Sequence, residues 1–237
     1  MKKNEQALIL FSGGKDSFLS TLLTLEKVNK VNLVTFLNGM ELRNENTLIG
    51  ANRIQKKYGS EKVNVIGIKN TDAIWRETIC EFYNWDTEYI TSHFGNITIS
   101  QFNCLSCRVA MYILSIIICY QNNIKYVVDG ARKSQLFAIE QPIFLDKFKE
   151  MFKEYNIVIE YPLVNEEDDF IVKNQIMARG FVPKMNEMQC LLGMPMKEQV
   201  SCEILNGLCN VFDKYIYPKS KEIIKRYLNA QLGGDYL

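Results

Sequence analysis

The chain has one histidine in 237 residues, His93. A lone histidine in an aromatic-rich stretch reads as structural, so general acid–base work is not assigned to it. Charge of one sign is also missing. The 28 basic and 27 acidic residues leave a net +1, which gives no global drive toward nucleic acid, although a local patch stays open. No apolar run is long enough to span a membrane, and the longest candidate, Val109 to Tyr120, fits a buried helix. The start, Met1-Lys2-Lys3-Asn4-Glu5, leads directly toward a strand and lacks a signal peptide's cleavage region. These absences point to a cytoplasmic protein with no membrane partner. Low-complexity linkers and internal repeats are absent too. Seven cysteines in such a chain are not expected to form a disulfide framework, which leaves metal binding, catalysis or burial.

What remains is enough for one α/β domain with a real core, at 47% apolar residues. Strand signals lie at Ala7 to Phe11, Val31 to Phe36, Lys62 to Ile68 and Lys125 to Gly130. Helix signals lie between them: Phe18 to Leu25, Asn46 to Tyr58, Asp72 to Phe94 and Arg108 to Gln121. Helices are expected over Phe144 to Tyr155 and Asp168 to Arg179, with an extended stretch from Ile157 to Leu163 between them. From Lys197 onward only helices are expected, broken at Pro218. The alternation predicts a Rossmann-like parallel sheet with helices on both faces and a helical C-terminal region. Residues 1–195 would be the main domain and 196–237 a helical appendage.

The most informative segment is Ser12-Gly13-Gly14-Lys15-Asp16-Ser17. It follows an apolar strand and precedes a helix. Two glycines let the backbone approach an oxyanion, and the N–H groups of the helix start have no internal partner. Ser12 and Ser17 add hydroxyls, and Lys15 adds a mobile positive charge. The spacing is neither that of a Walker loop nor G-x-G-x-x-G. In a parallel sheet ligands bind beyond the carboxyl ends of the strands. Three such ends should therefore converge: the glycine loop, Leu37-Asn38-Gly39, and Asp129-Gly130-Ala131-Arg132.

The second informative segment is Cys104-Leu105-Ser106-Cys107-Arg108, a C-x-x-C read as lying just before a helix. On that reading the helix start and Arg108 would favour thiolates. One pair is ambiguous, since structural zinc usually takes four protein ligands. Cys190, Cys202 and Cys209 lie singly downstream. Cys80 and Cys119 are assigned to burial. Arg132 and Lys133 suit phosphate, RNA backbone or solvent equally. Glu166-Glu167-Asp168-Asp169 is read as helix capping rather than a metal site. Trp75, Tyr83, Trp85 and Tyr89 are read as packing residues.

The glycine loop resembles the S-G-G-x-D-S pyrophosphate loop of the PP-loop (N-type) ATP pyrophosphatases, whose fold is the adenine nucleotide alpha hydrolase type. The resemblance implies ATP and Mg²⁺ as cofactors, with ATP cut between the α and β phosphates. It implies Ser12, Gly13, Gly14, Lys15, Asp16 and Ser17 at the phosphates, with Phe36 and Gly130 beside the adenosine. Lys15 and Asp16 would act in catalysis, Asp16 by helping to hold Mg²⁺ or simply by favouring the helix start.

The segment from Cys104 to Met111, the strand ending at Asp129-Gly130 and Tyr161-Pro162-Leu163 resemble the catalytic domain of 4-thiouridine synthetases. Cys190, ahead of Leu191-Leu192-Gly193-Met194-Pro195, falls where the [4Fe-4S]-dependent tRNA thiolation enzymes place a late cysteine. This implies Cys104, Cys107 and Cys190 as catalytic residues and metal ligands, with Zn²⁺ as the alternative to the [4Fe-4S] cluster. It implies adenylation of a nucleobase or amide oxygen and its replacement by sulfur from a sulfur donor. The Gly-His-x-x-Asp-Asp of the 2-thiocytidine group is absent after Asp129, as are the tRNA-binding domains. tRNA stays open as a partner beside smaller acceptors, and so does a homodimer. Thr35-Phe36-Leu37-Asn38-Gly39 followed by Glu45 is similar to the 7-cyano-7-deazaguanine synthases, which implies amide or nitrile formation with zinc or no metal. A nucleotide-binding module without catalysis is the third reading.

Overall fold

The computed structural model describes residues 1, 5–42, 47–135, 137–184, 189–191 and 200–232. Glu45, Asn46, Leu192-Gly193-Met194-Pro195 and Lys197 lie outside the described residues. The strands are β1 (Gln6–Leu10), β2 (Lys30–Leu37), β3 (Glu41–Leu42), β4 (Val63–Asn70), β5 (Tyr126–Val128), β6 (Val158–Glu160) and β7 (Gln189–Cys190). The helices are α1 (Lys15–Leu25), α2 (Thr47–Tyr58), α3 (Asp72–Ile79), α4 (Thr87–Phe94), α5 (Ile99–Gln121), α6 (Pro142–Lys153), α7 (Asp169–Ala178), α8 (Cys202–Val211) and α9 (Tyr217–Leu232).

Five strands form one parallel sheet in the order β4-β2-β1-β5-β6, with Ile9 paired to Leu33 on one side and Val128 on the other. Successive β1 residues point to opposite faces, and both faces are covered. Ala7 and Ile9 pack with Phe18 and Leu22 of α1, Ile54 of α2 and Ile176 of α7. Leu8 and Leu10 pack with Trp75 of α3, Ile113 of α5, Phe148 of α6, Leu208 of α8 and Ile224 of α9. Burial on both faces is why these strands read as continuous apolar runs rather than alternating ones. The chain builds outward from β1 to β2 and β4, then returns to add β5 and β6 on the other side. The order therefore reverses between β1 and β5, and a crevice opens there at the strand ends. β3 and β7 form a separate antiparallel ribbon.

Three expectations are corrected. The apolar helix begins at Ile99 rather than Arg108, so the C-x-x-C lies inside α5. Its first turns escape the apolar pattern because they carry buried polar residues with side-chain partners. Trp75 Nε1 donates to Ser106 Oγ at 3.1 Å, and the Tyr83 hydroxyl donates to Asn103 Oδ1 at 2.8 Å. At 23 residues α5 is long and apolar enough to cross a membrane, but 72% of its most apolar window is buried inside the molecule. Its hydropathy is that of a core helix. Pro218 does not break the C-terminal helices. A π turn over Phe212–Ile216 joins α8 to α9, and the proline sits at the second residue of α9. The wider turn accommodates the missing N–H and the ring that would clash with the Lys214 carbonyl. Finally, Cys119 is buried as expected, but Cys80 is exposed where α3 ends.

Candidate active site

The glycine loop closes β1 and opens α1. Gly13 takes φ +81°, the left-handed region that glycine adopts without strain, and Gly14 is the extended N-cap of α1. The two serines fix the turn internally. Ser17 Oγ donates to the Gly14 carbonyl at 3.1 Å and accepts from the Ser12 N–H at 3.2 Å. The loop is thus shaped before any ligand binds, and the N–H groups of the first α1 turn remain directed outward.

A cavity of ≈ 190 Å³ opens at the strand ends beside this loop. Ser12, Asp16, Ser17, Phe36 and Gly130 line it, together with Arg108, Asp129 and Glu140. The structure therefore brings together the glycine loop, the β5 end and Phe36 of β2, whereas Leu37-Asn38-Gly39 does not line the cavity. Gly130 is required by close approach. A Cβ there would stand 2.9 Å from the Asp16 carbonyl carbon and the Ser17 nitrogen. A larger hollow of ≈ 670 Å³ lies between Tyr83, Trp85, Ile99 and Ile204, away from these groups. Arg132, at the turn after β5, faces the loop: its Nε stands 3.2 Å from Asp16 Oδ1. Lys133 reaches outward to Asn165 Oδ1 at 2.9 Å. His93 stacks on Tyr89 at the surface of α4 and takes no part.

Glu140 was not singled out from the sequence, and Asp129 and Arg108 were expected only as part of a converging strand end and as a cation beside the cysteines. Arg108 pairs with Asp129, whose Oδ2 also accepts from the Tyr112 hydroxyl at 2.7 Å. The remaining Asp129 oxygen caps the Ala131 N–H at 3.1 Å. Glu140 lies 4.0 Å from the other arm of Arg108. Burial pushes the Glu140 carboxyl up to about 8, against the pull of Arg108. These pairings join α5, β5 and the turn before α6, a separation in sequence that no local pattern records.

Cys104 and Cys107 precede Arg108 on α5 without lining the cavity themselves. Asn38, which follows β2 and is 2% exposed, donates from Nδ2 to Cys107 Sγ at 3.0 Å. Glu41 anchors that turn by accepting the Asn38 and Gly39 N–H groups at 3.0 Å. The β3–β7 ribbon pairs Glu41 with Cys190, close enough that Cys190 charge acts on both Cys104 and Cys107. Cys209 is buried on α8 and Cys202 is exposed at that helix's start. Burial pushes the Cys104 thiol up to about 12 although Arg108 opposes it, and burial pushes Cys107 higher still, reinforced by Cys104 and Glu41. The expectation of thiolates at a helix start is overturned, because both sulfurs sit well inside α5. Among the described residues no three histidine, cysteine or acidic side chains stand close enough to hold a metal ion. As folded, Cys104, Cys107 and Cys190 approach one another without forming a ligand set for a cluster or zinc.

The family model for queuosine biosynthesis protein QueC matches residues 6–203, which is most of the chain. The chain belongs to the QueC family. It is therefore a member of the PP-loop superfamily, and ATP-dependent PP-loop chemistry comes with that membership. Solved structures agree on the fold. The U34-tRNA thiolase NcsA from Methanococcus maripaludis with its [4Fe-4S] cluster matches at 13% identity and TM-score 0.51, covering 99% of this chain and 74% of that one. A 4-thiouridine synthetase in complex with RNA and bound ATP matches at 14% identity and TM-score 0.56, covering 95% and 53%. A comparison with curated protein sequences finds no match. The QueC-family match extends into α8, so it includes Cys104, Cys107 and Cys190 as well as the glycine loop.

Proposed function

We propose that this QueC-family protein uses ATP to adenylate a carbonyl oxygen of a nucleobase-like or small-molecule acceptor, and that sulfur then replaces that oxygen. The reading is carried by one observation. The crevice at the reversal of strand order is lined by the glycine loop and by Arg108, and Arg108 directly follows Cys107 on α5, the Cys107 sulfur accepting from Asn38 just past β2. In the first step the acceptor oxygen attacks the α-phosphate and pyrophosphate leaves. The loop N–H groups and Lys15 stabilise the charge that develops on it. Asp16 is the carboxylate placed to help hold Mg²⁺ on the phosphates. The adenylated oxygen is now a good leaving group. A persulfide on one of the three cysteines, its outer sulfur delivered as sulfane sulfur by a donor, attacks the activated carbon and expels AMP. A second of the cysteines then attacks the enzyme–substrate disulfide, releasing the thiolated product and leaving a cysteine disulfide that an external thiol reduces.

Family membership favours a second reading, in which ammonia replaces the activated oxygen to give an amide or nitrile. The adenylation half is the same. Pyrophosphate release from ATP, measured with a pool of nucleobase acceptors, a thiol reductant and either ³⁵S-polysulfide or ¹⁵N-ammonium, separates the readings. Labelled sulfur in the product is the expected result. Labelled nitrogen overturns the sulfur step in favour of the second reading. Without pyrophosphate release in either mixture, the enzymatic reading fails and a nucleotide-binding module remains.

A further inference from the structure

Asp169, in the first turn of α7, carries a carboxylate that neither reading uses. Its neighbour Asp168 is the helix cap, accepting the Phe170 N–H at 2.7 Å. Asp169 is therefore not needed for capping, and it reaches across to the glycine loop instead. Its Oδ1 accepts from Arg132 Nη2 at 2.6 Å, and its Oδ2 stands 3.3 Å from Lys15 Nζ. Arg132 itself is 4% exposed, and its Nη1 is buried without a hydrogen-bond partner. A buried guanidinium in contact with Asp16 of the loop thus keeps one donor unspent. One anionic group bridging a lysine and an arginine with two oxygens is also how a phosphate would bind them.

We propose that Arg132 is a second phosphate-binding cation of the glycine loop, and that Asp169 competes with the nucleotide's phosphates for both Arg132 and Lys15. The inference rests on reading Ser12–Ser17 as the ATP loop. An arriving polyphosphate takes the two cations, and the Asp169 carboxylate turns to solvent. That release is cheap because the side chain is already 55% exposed. When pyrophosphate dissociates, Asp169 recaptures the cations. It thereby weakens pyrophosphate binding and speeds product release. Arg132 first, then Lys15, holds its carboxyl below the usual range, so the competitor stays ionised through neutral pH.

The test is calorimetric titration of the full chain with inorganic pyrophosphate and with ATP and Mg²⁺, at constant ionic strength. Asp169→Asn should tighten both ligands about five- to tenfold, the change expected when a charge-assisted competitor is removed. Glu167→Gln removes the same charge from an exposed side chain that contacts neither cation, and should leave both affinities unchanged. If Asp169→Asn binds no tighter than wild type, or if Glu167→Gln matches its gain, the competition is overturned. If wild type binds neither ligand, the loop reading itself fails and takes the inference with it. Arg132→Gln should weaken binding and shrink the gain from Asp169→Asn to the part that Lys15 contributes. Persistence of the full gain in that background overturns the role of Arg132. Should Arg132→Gln fail to fold, Arg132→Met, which also removes the cation while filling the buried site, carries the same comparison.

Discussion

Gly130 shows how a single missing side chain sets the geometry of a site. Its φ is ordinary, so backbone strain is not the reason for glycine. The reason is that the β5 end passes the first turn of α1 so closely that a Cβ would stand 2.9 Å from backbone atoms of Asp16 and Ser17. Backbone cannot rotate away as a side chain can. Gly130→Ala should therefore displace the glycine loop, lowering ATP affinity about tenfold or more and costing about 1–3 kcal/mol of stability. Calorimetric ATP binding within twofold of wild type would show that the approach is not needed. Gly130 was pointed to because it ends a strand expected to converge on the glycine loop and because the resemblance to the PP-loop family implied it there. Asp169 was not, because an acidic residue at a helix start already has a local explanation in capping, and only tertiary structure reveals the cations opposite it. The thiols were misjudged for a related reason. Their environment depends on where α5 begins, and the buried polar residues Gln101, Asn103 and Ser106 concealed that start.

At the scale of elements, the sheet was readable because short apolar or β-branched runs, bounded by turn residues, alternate with longer helical patterns, and the central β1 is buried on both faces. The C-terminal helices were only partly readable. A proline normally marks a helix boundary, yet here the preceding π turn carries the chain through it. What holds α8 is tight contact with the segment before α5. A Cβ on Gly207 would stand 2.1 Å from the Asn96 carbonyl oxygen. Asn210 Nδ2 also donates to the Phe94 carbonyl at 3.0 Å, so the two segments are tied at consecutive helix turns. Neither contact can slide without breaking the other. Gly207→Ala should lower the unfolding free energy by about 1–3 kcal/mol through overpacking, despite alanine's better helix propensity. Chemical denaturation reads the difference directly, and an unchanged or raised midpoint would mean that α8 is free to shift away from Asn96.

Across the whole molecule, two cores meet at the sheet, and the crevice between β1 and β5 is where buried charge collects. Glu140 lies within electrostatic reach of Arg108, Asp129, Asp16 and Arg132 there, while Arg108 pairs with Asp129 and Arg132 with Asp16. The cost of that arrangement should be visible in the stability of the entire fold. Glu140 is 4% exposed and its Oε2 is buried without a hydrogen-bond partner. Desolvation raises its pKa from 4.5 to about 8, with Arg108 pulling down and Asp129 and Asp16 pushing up. Between those values the folded protein keeps a proton that the unfolded chain has lost. Stability must then fall as pH rises through that window, because the native state binds more protons there. Glutamine fills nearly the same volume and does not ionise. Glu140→Gln should therefore lose this part of the pH dependence. Its advantage over wild type should grow from near zero at pH 5 to on the order of 3 kcal/mol or less at pH 8.5. Taking the difference between the two proteins at each pH cancels the titration of the other groups. Denaturation curves that run parallel from pH 5 to pH 8.5 would show that the carboxyl ionises as freely in the fold as in the unfolded chain. A widening gap would place a protonated carboxyl at neutral pH on the wall of the cavity beside the glycine loop, facing the Arg108 guanidinium.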